Sequence, residues 1–500
     1  MKKQKDWIKI TPGDSVAVAL HELQKGRLEE VDRKTIMLLD DIPFGHKFAI
    51  KDIKKGENII KYGMPIGHAL KDIPCGMHVH THNLRTNLND IISYEYKKKE
   101  KTFLKEDPGK GPKFNGYVRK NGKVGVRNDI WIVPTVGCIN ETARNLVRMA
   151  KDKYAGRVDD IVAITHNMGC SQLGDDQETT QKILAGIINN PNAGGVLVLS
   201  LGCENNNLEA FKPYLGDIDP QRVKFLVTQD VEDEYEVGLA LINELMDYAS
   251  QFERTSVGLD QLTLGFKCGG SDAFSGVTAN ALCGRVSDKI VAYGGNSILT
   301  EVPEMFGAEV LLMERAENEK VFTNIVDLIN NYKKYFQKYG QTIYENPSPG
   351  NKKGGISTLE EKSLGCVQKG GIAPIAGVLN YGESIKKHGL HLLTGSGNDQ
   401  VSCTNLIASG ATLIIFTTGR GNPFGTLVPT VKVSSNTNLY GRKKHWIDFD
   451  AGIILEGRSF EQVTEEFLQQ IIEIASGRLQ TKNEKFGYKD ISIFRDGVIL

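Results

Sequence analysis

The sequence lacks any apolar run long enough to cross a bilayer. A membrane-spanning helix needs about 20 consecutive apolar residues, whereas the densest apolar pieces are short, such as GVLVLSLGC at residues 195–203. The leading segment MKKQKDWIKI carries lysines, but no apolar stretch or small-residue cleavage site follows them, so a secretory signal is not indicated. We therefore expect a cytoplasmic protein with no membrane partner.

The chain also has a formal net charge of zero and contains few cysteines. The 61 lysines and arginines balance 61 aspartates and glutamates, so no global field favours nucleic acid as a partner. Eight cysteines in 500 residues argue for reduced thiols rather than a disulfide scaffold. The G-x-G-x-x-G, G-x-S-x-G and zincin helix motifs are missing, which argues against nicotinamide-binding and the commonest hydrolase classes.

The length and patterning of the chain predict several domains. A chain of 500 residues exceeds what one hydrophobic core normally supports. Residues 1–93 read as short β-rich pieces separated by turn residues, which predicts a compact all-β module. A linker rich in lysine, glycine and proline is predicted at 94–115. Alternating strands and helices then predict two α/β domains with largely parallel sheets, at 116–258 and 259–500.

Three histidines stand at alternate positions in the segment CGMHVHTHN. In an extended chain, His78, His80 and His82 would share one face. Imidazole is the commonest protein ligand of transition metals, so the row could bind a metal ion. The solvated polar face of an edge strand is the structural alternative.

Polar residues also follow the predicted parallel strands, where such sheets bind their ligands. They are Cys138, Asn140, His166, Cys170, Gln172, Cys203, Glu204, Asn205, Cys268, Ser271, Asp272, Glu301, Glu304, Asn398, Asp399, Thr418 and Arg420. The first three strands end in Gly-Cys, and converging thiolates of Cys138, Cys170 and Cys203 could hold iron or an iron–sulfur cluster. A tight turn followed by a small side chain is the alternative.

A series of long segments, in order along nearly the whole chain, resembles the altronate dehydratase and galactarate dehydratase family. The segments are GHKFAIKDI, HVHTHN, GVRNDIWIVPTVGC, GCSQLGDD, LGCENN, CGGSDAFSG, TEVPEMFGAE, ENPSPGN, EEKSLGC, TTGRG and KKHWIDFDAG. The resemblance implies an N-terminal β-clip domain of the antifreeze-like type and two family-specific α/β domains. It also implies removal of water from a small sugar acid to give a 2-keto-3-deoxy acid, with Fe²⁺ as activator or Mn²⁺ in its place.

Within this family the resemblance favours the altronate branch. That branch implies conversion of D-altronate to 2-dehydro-3-deoxy-D-gluconate in galacturonate catabolism. Galactarate dehydratase and sulfolactate sulfo-lyase are the alternatives of the same family, and a sugar-acid-binding protein without turnover is the alternative from another class. A homo-oligomer is compatible with the sequence.

The chemistry of the expected reaction indicates which residues could transfer protons and bind the substrate. Abstracting a proton next to a carboxylate and expelling hydroxide require an acid, a base and a cation. His46 and Lys47 in FGHKFAI are the candidates for proton transfer, with a surface salt bridge as the alternative for Lys47. Ser271, Asp272 and Arg420 are predicted to grip the polyol and carboxylate. For Ser271 and Asp272, the alternative is a purely structural turn.

The predicted metal set combines the histidine row with the strand-end thiols. Its members are His78, His80, His82, Cys138, Cys170 and Cys203. We expect the β module to cap the carboxyl edge of the sheet, so that the histidines face the cysteines across a cleft. An iron–sulfur cluster on the three cysteines is the alternative, and it would leave the histidines structural.

Overall fold

The computed structural model describes residues 6–88, 91–97, 102–154 and 156–499. No helix in these ranges is long and apolar enough to cross a membrane. The strands are β1 (Trp7–Ile8), β2 (Val16–Ala19), β3 (Leu28–Val31), β4 (Lys34–Met37), β5 (Lys47–Ala49), β6 (Asn58–Lys61), β7 (Met64–Ala69), β8 (His78–Val79), β9 (Leu84–Arg85), β10 (Lys113–Val118), β11 (Val124–Gly125), β12 (Asp129–Pro134), β13 (Ile161–Ala163), β14 (Ala193–Ser200), β15 (Val223–Val227), β16 (Arg254–Gly258), β17 (Thr263–Cys268), β18 (Asn296–Leu299), β19 (Ile375–Leu379), β20 (Gly389–Leu393), β21 (Leu413–Thr418), β22 (Thr430–Ser434) and β23 (Phe449–Asp450). The helices are α1 (Asn140–Lys153), α2 (Gly174–Ile188), α3 (Leu208–Leu215), α4 (Glu234–Ala249), α5 (Ala279–Ala292), α6 (Glu309–Met313), α7 (Glu319–Lys338), α8 (Pro349–Lys353), α9 (Leu359–Cys366), α10 (Asp399–Ala408), α11 (Thr437–Arg442), α12 (Phe460–Ala475) and α13 (Lys482–Phe486).

The N-terminal module consists of small antiparallel sheets. Their strand orders are β1-β2-β5-β8, β3-β4 and β6-β7-β9. The β3–β4 hairpin turns through Asp32 and Arg33, which have φ values of 50° and 65°, as a tight primed turn requires. In β3, buried and exposed residues alternate, so one face of the strand packs into the module's core.

The middle unit is built on a parallel sheet of order β13-β12-β14-β15. Every residue of β12 and β14 is buried, which explains their nearly continuous apolar sequences. Side chains from α1 and α4 pack on one face of the sheet, and side chains from α2 and α3 pack on the other. A separate antiparallel sheet, β11-β10-β16, flanks this unit.

The C-terminal unit is built on a seven-stranded parallel sheet of order β19-β20-β18-β17-β21-β22-β23. The strand order reverses between β17 and β21, and such a switch point opens a crevice at the carboxyl edge. Helix α10 packs on α2 of the middle unit. Gly186 permits this approach, because a Cβ there would lie 2.3 Å from the carbonyl oxygen of Ala408. The predicted fold class, a small β module followed by two α/β units with largely parallel sheets, is confirmed.

The N-terminal module rests on the segment that leads into α9. The hydroxyl of Thr358 donates to the carbonyl of Ile66 at 2.6 Å. Gly355 has a φ of 94°, and a Cβ on it would lie 2.2 Å from the carbonyl oxygen of Gly45. The two units therefore meet backbone against backbone at this glycine pair.

Candidate active site

The predicted histidine row belongs to a cluster of four imidazoles. Strand β5 pairs with β8, which brings His46 Nδ1 to 3.0 Å from His78 Nε2. The ring centroids of His46 and His80 are 4.8 Å apart, and those of His78 and His82 are 5.3 Å apart. We call His46, His78, His80 and His82 the histidine cluster.

Partial burial keeps His78 and His80 uncharged. It lowers the pKa of His78 to about 4 and that of His80 to about 3, and neighbouring positive charges, including Lys47, act in the same direction. Both rings are therefore neutral near pH 7, and each retains a nitrogen lone pair. His80 Nδ1 lies 2.8 Å from the hydroxyl of Ser357, and His46 Nε2 lies 3.3 Å from the carbonyl of Lys353.

Lys47 is fully buried beside the cluster. It donates to the carbonyl of Gly355 at 3.0 Å and the hydroxyl of Ser357 at 2.6 Å, and it pairs with Glu361 at 2.9 Å. Glu361 also pairs with the buried Lys61 at 2.7 Å. Burial lowers the pKa of Lys47 to about 8, although the Glu361 carboxylate opposes this shift. The salt bridge considered for Lys47 therefore exists, but inside the protein rather than at its surface.

A second polar cluster lies where β17 and β18 end. Cys268 closes β17, Glu301 and Glu304 follow β18, and Cys366 closes α9. One ligand atom from each residue lies within 4.8 Å of those of the other three, and all four residues are buried. The two sulfurs are 3.9 Å apart. We call these four residues the Cys–Glu centre.

Glu301 adopts a strained backbone within this centre. Its φ is 72°, a left-handed value that costs free energy for a residue with a Cβ. The side chain is fully buried and pairs with Lys267 at 2.6 Å and Lys369 at 2.9 Å. Lys369 also contacts the sulfur of Cys366 at 2.9 Å. Strain that persists under such close bonding is typical of functional positions.

Opposite charges keep Glu304 of the Cys–Glu centre and the neighbouring Lys267 ionised despite burial. Lys362 pairs with Glu304 at 2.9 Å, and Lys267 pairs with Asp399 at 3.1 Å. Burial alone would raise the pKa of Glu304, but Lys362 and its neighbours outweigh this effect and lower that pKa to about 2. Burial alone would lower the pKa of Lys267, but the nearby carboxylates raise it well above its ordinary value.

The donor set of the Cys–Glu centre suits a divalent transition metal. Three ammonium groups, those of Lys267, Lys362 and Lys369, match the three carboxylates of Glu301, Glu304 and Asp399. Loss of both thiol protons would add two negative charges, which a divalent ion would offset. Metal binding would therefore exchange for protons without changing the net charge. Thiolate ligands favour iron or zinc over harder ions.

A cavity of about 470 Å³ opens beside this centre. Its lining includes Cys268, Glu304, Lys362 and Asp399, together with residues 345–349, 351 and 352. Neither His46 nor Lys47 belongs to its lining among the described residues. A volume of this size accommodates a small ligand, and the charged walls favour a polar one.

Ser271 and Asp272 lie on the loop after β17, and Arg420 lies after β21. Asp272 accepts hydrogen bonds from the backbone of Phe274, from the hydroxyl of Ser435 and from the amide of Asn436. These bonds match the structural turn given as the alternative for Asp272, and its contact with substrate stays a prediction. The carbonyl of Ser271 accepts from Asn351 at 2.7 Å. Arg420 is exposed and its backbone N–H donates to Gly270, a residue of the cavity wall.

The three strand-end cysteines of the middle unit form no compact metal-sized group with the histidine cluster in the described ranges. Cys138, Cys170 and Cys203 are exposed at the carboxyl edge of the middle sheet. The amide of Gln229 donates to the sulfur of Cys203 at 3.5 Å. Across the described ranges, these thiols and the histidines form no group of three with ligand atoms within 4.8 Å of one another.

Sequence reasoning missed part of the Cys–Glu centre. Cys268, Glu301 and Glu304 were strand-end candidates, although none was predicted to hold metal. Cys366 and the three lysines were not singled out. One available signal was Lys267 in LGFKC, because an unpaired lysine is rarely found inside a buried strand.

Three family models match successive parts of the chain. The altronate/galactarate dehydratase SAF domain matches residues 5–87. The second domain of D-galactarate dehydratase/altronate hydrolase matches 116–250, and the C-terminal domain of D-galactarate/altronate dehydratase matches 259–499. Together they cover most of the chain.

Curated relatives match over nearly their full length. Altronate dehydratase of Bacillus subtilis (strain 168) is 51% identical over 501 residues, covering 99% of this chain and 100% of the relative. Altronate dehydratase of Escherichia coli (strain K12) is 48% identical over 496 residues, with 99% and 100% covered. Galactarate dehydratase (L-threo-forming) of Escherichia coli (strain K12) is 32% identical over 521 residues, with 98% and 96% covered.

Proposed function

Because the chain belongs to the altronate/galactarate dehydratase family, we propose that it is a hydro-lyase that converts D-altronate to 2-dehydro-3-deoxy-D-gluconate. We further propose ferrous iron as its activator and galacturonate catabolism as its setting. The choice of altronate is supported by the identities, which are 51% and 48% to altronate dehydratases but 32% to a galactarate dehydratase.

The Cys–Glu centre and its cavity carry the proposal. A dehydratase of sugar acids must stabilise negative charge on its substrate while a proton and a hydroxide leave. The centre offers buried thiols and carboxylates whose ligand atoms lie within 4.8 Å of one another. Ammonium groups pair with these carboxylates at 2.6 and 2.9 Å, and a cavity of about 470 Å³ lies beside them. The strained backbone of Glu301 adds support.

We propose that iron is held at this centre. Cys268, Glu301, Glu304 and Cys366 would hold it, and a bound Fe²⁺ would polarise the substrate carboxylate and the departing hydroxyl. Mn²⁺ suits two thiolates less well, because it prefers oxygen ligands. Two alternatives stay as predictions: a metal site on His78, His80 and His82, and an iron–sulfur cluster on Cys138, Cys170 and Cys203.

Residues of the chain itself would orient the acid and move the proton. Lys362 lines the cavity and is held by Glu304 at 2.9 Å, Asn346 at 3.0 Å and Asn351 at 3.2 Å. Its ammonium therefore provides a fixed positive charge that would attract a substrate carboxylate. Burial raises the pKa of Asp399, which also lines the cavity. Asp399 could remove the proton next to the substrate carboxylate and return it to the hydroxide that leaves as water.

The roles predicted for the other candidate residues remain predictions. His46 and Lys47 stay candidates for proton transfer, and Ser271, Asp272 and Arg420 stay candidates for substrate contact. The neutral state of the histidine cluster is compatible with a proton acceptor. The cavity wall, in contrast, favours Lys362 and Asp399 for the groups nearest the substrate.

A substrate panel tests the proposal. The full chain, purified without oxygen and supplied with Fe²⁺, is incubated with D-altronate, galactarate or sulfolactate, and 2-keto-3-deoxy acid or sulfite is measured. We expect D-altronate to have the highest kcat/KM. Faster turnover of galactarate or sulfolactate would reassign the substrate, and a folded, iron-loaded protein that leaves all three unchanged would overturn the proposed function.

A further inference from the structure

A second cavity lies at the far edge of the C-terminal sheet, where β19 and β20 end. Its volume is about 440 Å³. Helix α7, the ends of β19 and β20, and residues 494–496 enclose it, and we call it the aromatic pocket. It shares no lining residue with the cavity beside the Cys–Glu centre among the described parts of the chain. The carboxyl edge of a parallel sheet is where such folds bind ligands.

Four aromatic rings form one continuous wall of the aromatic pocket. Tyr381 stacks on Phe494 with ring centroids 4.9 Å apart and an interplanar angle of 13°. Tyr335 meets Phe494 edge-on at 5.8 Å, and Tyr332 meets Tyr335 edge-on at 5.6 Å. Such rings offer rigid apolar surface to the face of a ligand ring while their hydroxyls remain polar.

Two buried tyrosine hydroxyls in this wall make no hydrogen bond of normal geometry. They are the Oη atoms of Tyr332 and Tyr381 in the described ranges; each lies near the other, and that of Tyr332 also lies near Ser396. Buried hydroxyls are normally bonded, because leaving one unpaired costs free energy. A ligand that carries hydroxyl groups would satisfy both, since a hydroxyl donates and accepts.

The charge of the aromatic pocket disfavours the proposed substrate. Its lining contains no lysine, arginine or histidine among the residues that the structure describes, but it includes the carboxylates of Asp327 and Asp496. Lys338 pairs with Asp496 at 2.7 Å and offsets its charge, so the carboxylate of Asp327 is the group that would repel an anionic sugar acid. The amides of Asn324, Asn331 and Asn380 instead offer paired donors and acceptors that match neighbouring hydroxyls.

We propose that the aromatic pocket is a binding site for an uncharged sugar, separate from the catalytic cavity. The aromatic wall packs against the apolar face of the sugar ring. The amides and the two tyrosine hydroxyls bond its hydroxyl groups. The inference rests on the composition and geometry of this pocket, so it stands whether or not D-altronate is the substrate.

Direct binding measurements test this site. The full chain is titrated with D-galactose, D-glucose and D-mannose as uncharged probes, and with D-galactonate and D-galactosamine as charged probes, using saturation-transfer NMR and calorimetry. At least one uncharged sugar is expected to bind, and Tyr381→Phe should weaken that binding about fivefold through loss of one hydrogen bond. The matched control Tyr344→Phe removes an exposed tyrosine hydroxyl outside the pocket and should leave the affinity unchanged.

The same variant separates a ligand-binding role from a structural one. Because the hydroxyl of Tyr381 makes no hydrogen bond of normal geometry to a described residue, Tyr381→Phe should keep the melting temperature of the wild type. A clear fall in that temperature would show that the hydroxyl supports the fold and would overturn the inference. So would failure of all three uncharged sugars to bind at high millimolar concentration, or a Tyr381-dependent site that prefers D-galactonate or D-galactosamine.

Discussion

The histidine cluster is partly buried and the Cys–Glu centre is fully buried, and burial affects the charges of the two regions in opposite ways. In the histidine cluster, burial and positive neighbours act together and lower the pKa of His80 to about 3. In the Cys–Glu centre, burial works against the charges, but close opposite charges outweigh it and lower the pKa of Glu304 to about 2. Burial removes charge only where no partner of opposite sign is near.

Helix α9 connects the two regions. Glu361 on this helix pairs with Lys47 and Lys61 of the N-terminal module. The next residue, Lys362, pairs with Glu304, and Cys366 closes the helix within the Cys–Glu centre. A single helix of eight residues therefore positions groups of both regions, and displacing it would disturb both.

The comparison predicts its largest effect at Glu301. Glu301→Gln removes the charge that Lys267 and Lys369 share, so we expect kcat to fall by about 1,000-fold and the free energy of unfolding to fall by about 3–5 kcal/mol. Steady-state kinetics and chemical denaturation measure the two effects. The matched control is Glu309→Gln, which breaks the buried pair with Lys333 outside the cavity.

The control decides how the Glu301 result is interpreted. Glu309→Gln should also lower stability, because it leaves a buried ammonium without its carboxylate, but kcat of the folded protein should change little. If both variants lost turnover in proportion to their lost stability, Glu301 would have only a structural role.

Iron content gives the next largest expected effect. Cys268→Ser should lower the iron bound after anaerobic reconstitution by about tenfold or more, because it replaces a soft thiolate of the Cys–Glu centre. His80→Gln should retain its iron. Elemental analysis of both proteins, desalted under identical conditions, measures the difference. The reverse result, with iron lost from His80→Gln and kept by Cys268→Ser, would assign the metal to the histidine cluster.

The smallest expected effect is the pH dependence of stability in the histidine cluster. Histidines in the unfolded chain have a pKa of about 6.5, whereas the fold lowers the pKa of His78 to about 4 and that of His80 to about 3. Between these values the unfolded chain binds more protons, so stability is full above about pH 6.5 and is lost as the pH falls toward 4 and then 3. The melting temperature, measured with a chelator present, should therefore fall over this range.

A double variant isolates the contribution of the two histidines. His78→Gln with His80→Gln should flatten the fall in melting temperature, because glutamine binds no proton in this range. His445→Gln, at an exposed histidine outside the cluster, should fall like the wild type. An equally steep fall in the double variant would show that other groups cause it.

Much of the fold could be predicted from the sequence, because it follows from local patterns. Alternating strand and helix segments predict the parallel sheets, and the resemblance to the dehydratase family is confirmed by matches along the whole chain. Apolar runs such as GGVLVLS identify buried strands, since both faces of such a strand are covered. These features depend on residues close together in the chain.

The candidate site could be predicted only in part, because its contacts join distant segments. Cys268 and Cys366 are 98 residues apart in the chain, and no periodicity links them. The rule that ligands bind beyond strand ends found Cys268, Glu301 and Glu304, but it could not find Cys366, which ends a helix. Likewise, the approach of His46 to His78 depends on the pairing of β5 with β8, which local sequence does not set.

The glycine contact between Gly45 and Gly355 has a consequence for protein engineering. A single methyl group on Gly355 would lie 2.2 Å from the opposing carbonyl, so no other amino acid can occupy this position without separating the two units. A hybrid that carries the N-terminal module of a different lyase on this chain would have to keep Gly355 and would need a grafted module whose backbone runs as it does at Gly45, which has a φ of 79°. Without this arrangement the two units of the hybrid would be held apart at this contact, even if each unit folded correctly.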